Sequence, residues 1–329
     1  MRPTMRWWLL VGACLVMMTS LSMAQTHEEG DHSHNPYADP TVGPLIQPAA
    51  DDFIGDPGSI GAEKAAGDKG LATFFEVTSN QKTGLLTPFY RFSSALAFKV
   101  RVPLIIDKTQ TSWDGERSTS GLGDIAIDAE YSRPAGPGAE WRLQGSVKLP
   151  TGDHEKMVDL DGVEQVVPLG TGSMDILARG QYAKSGVNLD WVASALYRKN
   201  DSSETVNDYG TYTATSKITN GDQVVFSGFA RRRANDSWWL HLGASMVKFS
   251  DGTFDVEYSA VHDDTSSDLL QSGTLFDLYP GVSYALGKLN PYLGARIPIG
   301  TSYDDEFANT KRDTAFIFQF TYNPTKMGG

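Results

Sequence analysis

From residue 69 onward, apolar and polar residues alternate at period two in segments of about ten residues, which Gly, Asn, Asp and Ser clusters separate. In a β-strand successive side chains point to opposite faces, so this alternation predicts strands with one apolar and one polar face. Twelve segments fit the pattern, at residues 69–79, 83–92, 95–105, 121–132, 139–149, 173–184, 187–198, 222–233, 236–250, 273–286, 289–299 and 312–322.

The connections between these segments alternate between short and long, except that the first connection on the loop side, around Gln81, is also short. The short ones are turns at Ser93-Ser94, 133–138, Ser185-Gly186, Ala234-Asn235 and Gly287-Lys288. The long ones exceed typical hairpin loops and span residues 106–120, 150–172, 199–221, 251–272 and 300–311. Short periplasmic turns and long extracellular loops are typical of outer-membrane barrels. We therefore predict an all-β fold, a transmembrane antiparallel up-and-down β-barrel of about 12 strands. A secreted β-sandwich is the alternative, although its loops have no reason to alternate in length.

The start of the chain predicts export. Arg2 and Arg6 precede an apolar run from Trp7 to Met18, and Ser22-Met23-Ala24 forms a small-x-small cleavage site. This is the layout of a signal peptide over residues 1–24, cleaved after Ala24. With twelve amphipathic strands, it predicts residence in the outer membrane of a Gram-negative-type bacterium. Cleavage would remove Cys14, the only cysteine of the chain.

Three further segments complete the predicted organisation. Residues 25–68 are acidic and rich in Pro and Gly, which predicts an unstructured linker or a plug for the barrel lumen. Residues 69–323 form the barrel, and residues 324–329 form a C-terminal tail.

Charge is distributed unevenly over these regions. The chain has 28 Lys and Arg against 40 Asp and Glu, an acidic balance that argues against a nucleic-acid binder. Residues 25–68 carry −8 and the five long loops carry −14, whereas the strands and short turns carry +8. The wall of the barrel is therefore basic and its ends are acidic. This complementarity supports the plug hypothesis for residues 25–68.

The alternation also predicts which side chains face the lumen. In the strand Asp124–Tyr131 the odd positions would face lipid and the even ones the interior, and in Trp141–Leu149 the odd positions again face lipid. Tyr131, Trp141, Tyr182, Tyr284 and Tyr292 would form an interfacial girdle. The lumen-lining candidates are Arg91, Lys99, Arg101, Asp124, Asp128, Glu130, Arg142, Lys148, Asp175, Arg179, Asp190, Arg198, Asp277 and Arg296. Such charges either pair across strands and stabilise the wall, or form a mixed-charge constriction that selects a solute.

No set of residues points to catalysis. His241 and Ser245 share a predicted face, but they are four residues apart along one strand, too far for a hydrogen bond. His27, His32 and His34 lack the fixed spacing of a zinc site. The sequence therefore predicts no enzyme, no catalytic residues, no cofactor and no metal site.

Three short motifs open or close predicted strands: Gly121-Leu122-Gly123-Asp124, Lys148-Leu149-Pro150-Thr151-Gly152-Asp153 and Gly170-Thr171-Gly172-Ser173-Met174-Asp175. In this order and spacing, together with Tyr90 to Pro103, they resemble the outer-membrane family named for the meta-pathway of phenol degradation, over roughly residues 69–322. The resemblance implies a β-barrel channel associated with uptake of aromatic or other hydrophobic compounds. It also implies a distant similarity to long-chain fatty-acid transporters, which have an N-terminal plug. No substrate-binding residue carries over, because the shared motifs are architectural.

The predicted function is that of an outer-membrane channel or transporter for passive uptake of small solutes, aromatic or hydrophobic ones on the resemblance alone. The alternative is a non-transporting barrel whose loops serve surface interactions. The predicted partners are outer-membrane lipid and lipopolysaccharide, a small-molecule solute and the barrel-assembly machinery, with no nucleic acid.

Overall fold

A computed structural model describes residues 67–112, 115–160, 163–208, 212–259, 265–269, 272–284, 286, 289–303 and 313–322. The predicted signal peptide, nearly all of the acidic segment 25–68, the Gly287-Lys288 turn and the C-terminal tail lie outside these residues. The plug hypothesis for residues 25–68 therefore stays a prediction.

Twelve antiparallel strands form the wall of one closed barrel, as the sequence predicted. With strands numbered β1 to β19 in chain order, the wall contains β1 (Lys69–Val77), β2 (Gln81–Arg91), β3 (Leu96–Ser112), β5 (Ala126–Gly136), β6 (Ala139–Lys148), β9 (Asp175–Ser185), β10 (Leu189–Lys199), β13 (Gln223–Arg233), β14 (Trp238–Phe249), β17 (Gly273–Tyr284), β18 (Leu289–Tyr303) and β19 (Ala315–Tyr322). Each pairs with the next wall strand along the chain. The ring closes where β1 pairs with β19, from Leu71 opposite Tyr322 to Val77 opposite Phe316.

Seven shorter strands lie in the long connections, which the sequence predicted only as loops. Strand β4 (Gly115–Leu122) pairs with the end of β3, and β7 (Met157–Leu160) pairs with β8 (Val163–Val166). A four-stranded sheet contains β11 (Ser202–Asp208), β12 (Thr213–Thr219), β15 (Gly252–Tyr258) and β16 (Thr265–Leu269), in that order. The sequence analysis missed these strands because, at four to eight residues each, they are shorter than the segments of about ten residues that mark the wall. Within the described ranges no helix is long and apolar enough to span a membrane.

The two faces of the wall differ as the alternation requires. In β5, Asp128 and Glu130 are buried, whereas Ile127 and Tyr131 are nearly half exposed on the outer face. The pattern continues in β6, where Arg142 is buried beside the exposed Trp141. Polar side chains therefore point into the barrel, and the apolar face points towards lipid.

The predicted aromatic girdle is only partly present. Tyr131 and Trp141 are exposed on the outer face, Trp141 contacts Tyr182, and Tyr284 contacts the exposed Trp238. Tyr292 is an exception, since it is 3% exposed and its ring packs edge-on against His241 in the interior. Its assignment to the girdle was wrong because closeness to a strand end does not fix which face a residue occupies.

The inner wall depends on small residues opposite large rings. Gly243 of β14 lies opposite Phe229 of β13, and a Cβ at Gly243 would stand 2.1 Å from the Phe229 ring. We expect Gly243→Val to lower the free energy of unfolding by about 1–3 kcal/mol, the usual cost of overpacking. Urea titration of the barrel in lipid vesicles, followed by tryptophan fluorescence, measures this.

Gly228 provides the matched control for that prediction. It is an outward glycine of β13 whose Cβ would come no closer than 3.9 Å to any atom. Gly228→Val should stay within about 0.5 kcal/mol of the unmodified protein, as surface substitutions do. Equal destabilisation by the two variants would contradict the packing argument.

Candidate functional site in the barrel interior

Thirteen of the fourteen predicted lumen-lining residues lie on the polar face of a wall strand, and Asp124 lies just before β5. Twelve of the fourteen have less than 10% of their surface exposed, and the side chains of Lys99 and Arg296 are 14% and 12% exposed. What the structure adds is their partners, which the sequence did not specify. Whether these residues also contact a solute stays a prediction.

One set of ion pairs crosses β2, β3 and β5. Lys99 Nζ lies 2.7 Å from a Glu130 carboxylate oxygen, and Arg91 approaches the same carboxylate at 3.9 Å. Arg101 donates to Asp128 at 2.7 Å. Because neighbouring strands bring their inward residues within reach of one another, each buried charge has an opposite charge beside it.

Further pairs lie around the rest of the wall. Arg231 of β13 donates to Asp190 of β10 at 2.7 Å and lies 4.8 Å from the centre of the Trp239 ring. Arg296 of β18 donates to Glu76 of β1 at 2.6 Å. The sequence analysis missed Arg231, because β13 has apolar residues on both faces and three consecutive arginines at its end. Charges that stabilise the wall are expected to pair across strands in this way.

The three motifs meet at the loop side of the barrel. Asp124, Lys148 and Asp175, one from each motif, form a cluster in which Lys148 Nζ lies 2.7 Å from Asp175 and 3.2 Å from Asp124. Arg198 donates to the same Asp175 oxygen at 3.0 Å. The buried lysine is thus held between two carboxylates, and one of these also binds an arginine.

Asp124 also holds the loop that follows β6. One of its carboxylate oxygens accepts the Gly152 N–H at 3.0 Å, and the other accepts the Thr171 N–H at 2.8 Å. Gly170 must be a glycine, since a Cβ there would lie 2.3 Å from the Asp124 carboxylate. The glycines of the second and third motifs therefore allow two backbone segments to close around the aspartate of the first.

Apolar side chains fill the interior between the charged clusters. Nine buried residues, one from each of nine wall strands, form one cluster. The cluster contains Phe74, Leu85, Ala126, Ala183, Val192, Phe229, Tyr279, Tyr292 and Ile317. Each has 4% or less of its surface exposed. Large inward rings that are nearly inaccessible to solvent mean that side chains occupy the interior at this level, as expected for a barrel of intermediate size.

A second apolar cluster lies nearer the loop side. It contains Leu177, Leu196, Val225, Val247, Phe249 and Leu275, from strands β9 to β17. These six residues are called the apolar sector below. It adjoins the Lys148 cluster, because Gln223 pairs with Arg198 of that cluster on one side and with Phe249 on the other. The loop-side interior therefore has an apolar side and a charged side.

The interior also contains a histidine and serine pair. His241 Nε2 lies 2.7 Å from the Ser283 Oγ of the neighbouring strand, whereas Ser245 contacts the Tyr279 hydroxyl at 3.3 Å. The sequence argument considered only a partner along the same strand and so missed this contact. Among the described residues, no group of three or more metal-ligating side chains occurs.

Comparisons with known proteins come from solved structures alone. No family model matches the sequence, and no curated protein matches it. The COG4313 outer membrane channel from Pseudomonas putida F1 superposes with a TM-score of 0.58 and 11% identity over 82% of this chain and 99% of that one. The chain has the fold of an outer-membrane β-barrel. Weaker similarities link it to the NanC porin, with a TM-score of 0.44, 5% identity and 77% and 98% of the two chains covered. OmpT, an outer membrane protein of Vibrio cholerae, gives a TM-score of 0.35, 10% identity and coverage of 78% and 96%.

The prediction that the chain is not an enzyme needs correction. The similarity to the COG4313 outer membrane channel, at 11% identity, shows the fold alone, so it does not support that exclusion. Its physical basis also fails, because the barrel brings His241 and Ser283 together across strands. A fold does not determine the chemistry of its wall.

The loop anchor leads to a test that does not depend on transport. In Asp124→Asn the side chain keeps its shape and loses its charge, so the Gly152 and Thr171 amides lose a carboxylate acceptor. We expect their hydrogen exchange to accelerate about 10- to 100-fold, the effect of losing a hydrogen bond to a charged group. Hydrogen-deuterium exchange with mass spectrometry measures this, with the wall amides as internal reference.

Asp153→Asn is the control, because Asp153 lies in the same loop and its exposed carboxylate accepts only a local N–H, that of Glu155. Exchange at Gly152 that is unchanged in Asp124→Asn, or equally fast in Asp153→Asn, would show that Asp124 does not anchor the loop.

Proposed function

We propose that the barrel is a passive channel for small solutes that combine an apolar body with a charged or polar group. The observation that carries this proposal is the division of the loop-side interior into the apolar sector and the Lys148 cluster. A solute that entered from the loop side would contact hydrocarbon on one side and paired charges on the other. Such an interior suits aromatic or other hydrophobic compounds with a polar substituent, the class that the motif resemblance implies.

The filled middle of the barrel agrees with a narrow, selective channel rather than a wide pore. A solute would have to displace side chains of the apolar cluster, among which Phe229 and Tyr279 are rings with centres 5.3 Å apart. The channel would then select solutes by the contacts that they form with side chains inside the barrel, because buried charges favour partners of opposite sign. The similarity to an outer membrane channel from Pseudomonas putida F1 supports this class of function through the fold.

Conductance is the direct measurement. We expect the full chain in planar bilayers to show small discrete steps, and Phe229→Ala to raise the single-channel conductance about twofold or more, because the ring fills the interior. Phe226→Ala is the matched control, since Phe226 is a half-exposed ring on the same strand facing lipid. Absence of steps in both the unmodified protein and Phe229→Ala would refute the channel and favour a barrel that serves surface interactions.

Solute class needs a second measurement. Reversal potentials give the permeability of benzenesulfonate relative to methanesulfonate, two anions that keep their charge at all working pH values. We expect a ratio above one, which falls in Val225→Thr because a hydroxyl replaces a methyl of the apolar sector at constant shape. Val224→Thr, on the outer face of β13, should leave the ratio unchanged. A ratio of one or less in the unmodified channel would exclude selection for apolar bodies.

A further inference from the structure

The lipid-facing surface of the wall has a groove with a volume of about 460 Å³ across β5, β6 and β9. Its lining includes Ala129, Tyr131, Leu143, Gly145, Ala178 and Gly180. It lies on the opposite surface from the proposed transport path, so its role does not depend on conduction.

The groove exists because small residues stand side by side on three strands. Gly145 pairs with Ala129 on one side and with Ala178 on the other, and Gly180 pairs with Leu143. A Cβ built on Gly145 would have no atom within 4 Å. The next outward row towards the loops contains the large side chains of Ile127, Val147 and Ile176, all exposed. The outer wall is therefore concave at this point.

Aromatic residues mark the other end of the groove. On the turn side of Leu143, Trp141 contacts Tyr182 with ring centres 4.7 Å apart, and Tyr182 contacts Trp191 at 5.3 Å. Tyr and Trp belts lie at headgroup level in membranes, and short turns mark the periplasmic side of outer-membrane barrels. The groove thus extends from the headgroup level of the periplasmic leaflet into its hydrocarbon.

Two basic residues lie at this end. Arg133 pairs in register with Trp141, and Lys184 pairs with Ala139 and Trp191. Both are exposed, and neither forms an ion pair with another described residue. The nearby acids Glu140 and Asp190 face inward, where they bind Arg142 and Arg231. The outer surface at headgroup level is therefore positively charged.

We propose that this groove binds one anionic phospholipid of the periplasmic leaflet, with an acyl chain in the groove and its phosphate beside Arg133 and Lys184. The argument combines an apolar cleft on the lipid side, an aromatic cluster at headgroup depth and two cations beside it. Lipopolysaccharide does not fit, because it occupies the leaflet at the loop side. A zwitterionic phospholipid would fill the cleft without using the two charges.

Native mass spectrometry of the full chain in detergent tests this with phosphatidylglycerol and phosphatidylethanolamine of identical acyl chains. We expect one phosphatidylglycerol to bind more tightly than phosphatidylethanolamine. Gly145→Leu should weaken both about tenfold, because the leucine side chain fills the cleft. Arg133→Gln and Lys184→Gln should each weaken phosphatidylglycerol alone, about fivefold per charge.

The controls change the same residue types outside the groove. Gly228→Leu fills an outward position on β13, and Arg232→Gln removes an exposed charge at the turn end of the same strand. Both should bind phosphatidylglycerol like the unmodified protein, and heat-modifiable mobility in gels shows whether each variant has folded. Equal binding of the two lipids, or equal losses in Gly145→Leu and Gly228→Leu, would mean ordinary boundary lipid and overturn the proposal.

Discussion

The pairing of the first wall strand with the last is the constraint on which the rest of the structure depends. In hydrocarbon an unpaired backbone N–H or C=O has no water to bind, so a sheet that crosses a membrane must close. Here β1 and β19 pair over seven residues, from Leu71 to Val77. Once the sheet is closed, alternate residues of each strand face the interior and the lipid. All inward charges then lie in one confined volume.

That confinement explains why the interior consists of paired charges and packed rings. An ionised side chain out of water is costly unless an opposite charge lies beside it, and neighbouring strands supply one, as Arg101 and Asp128 show. Where no charge is present, rings such as Phe229 and Tyr279 fill the space. In the channel that we propose, a solute would pass by exchanging contacts with the wall, so the packing that stabilises the barrel would also set its selectivity.

The strands and their facing could be predicted from the sequence because both follow from a local pattern. In β5 and β6 one face is charged and the other apolar, so parity alone places Asp128 inside and Ile127 outside. Which residues pair across strands depends on the register of the sheet. A single segment of sequence does not specify that register. This is why the contact of His241 with Ser283 and the pairing of Arg231 with Asp190 were missed. In β13 and β17 both faces carry apolar residues, so the contrast between the two faces is weaker there than in β5 and β6.

The same parity separates the two surfaces on which the proposals rest. Gln144 and Arg179 point inward and contact each other at 3.5 Å, whereas their chain neighbours Gly145 and Gly180 form the floor of the outer groove. One pair of strands thus contributes to the interior and to the lipid surface through alternate residues. Because a substitution at Gly145 adds volume only on the lipid side, loss of lipid binding with unchanged conductance would show that the two surfaces act independently. A change in both would mean that the lipid in the groove supports the shape of the wall, and through it the packing of the interior.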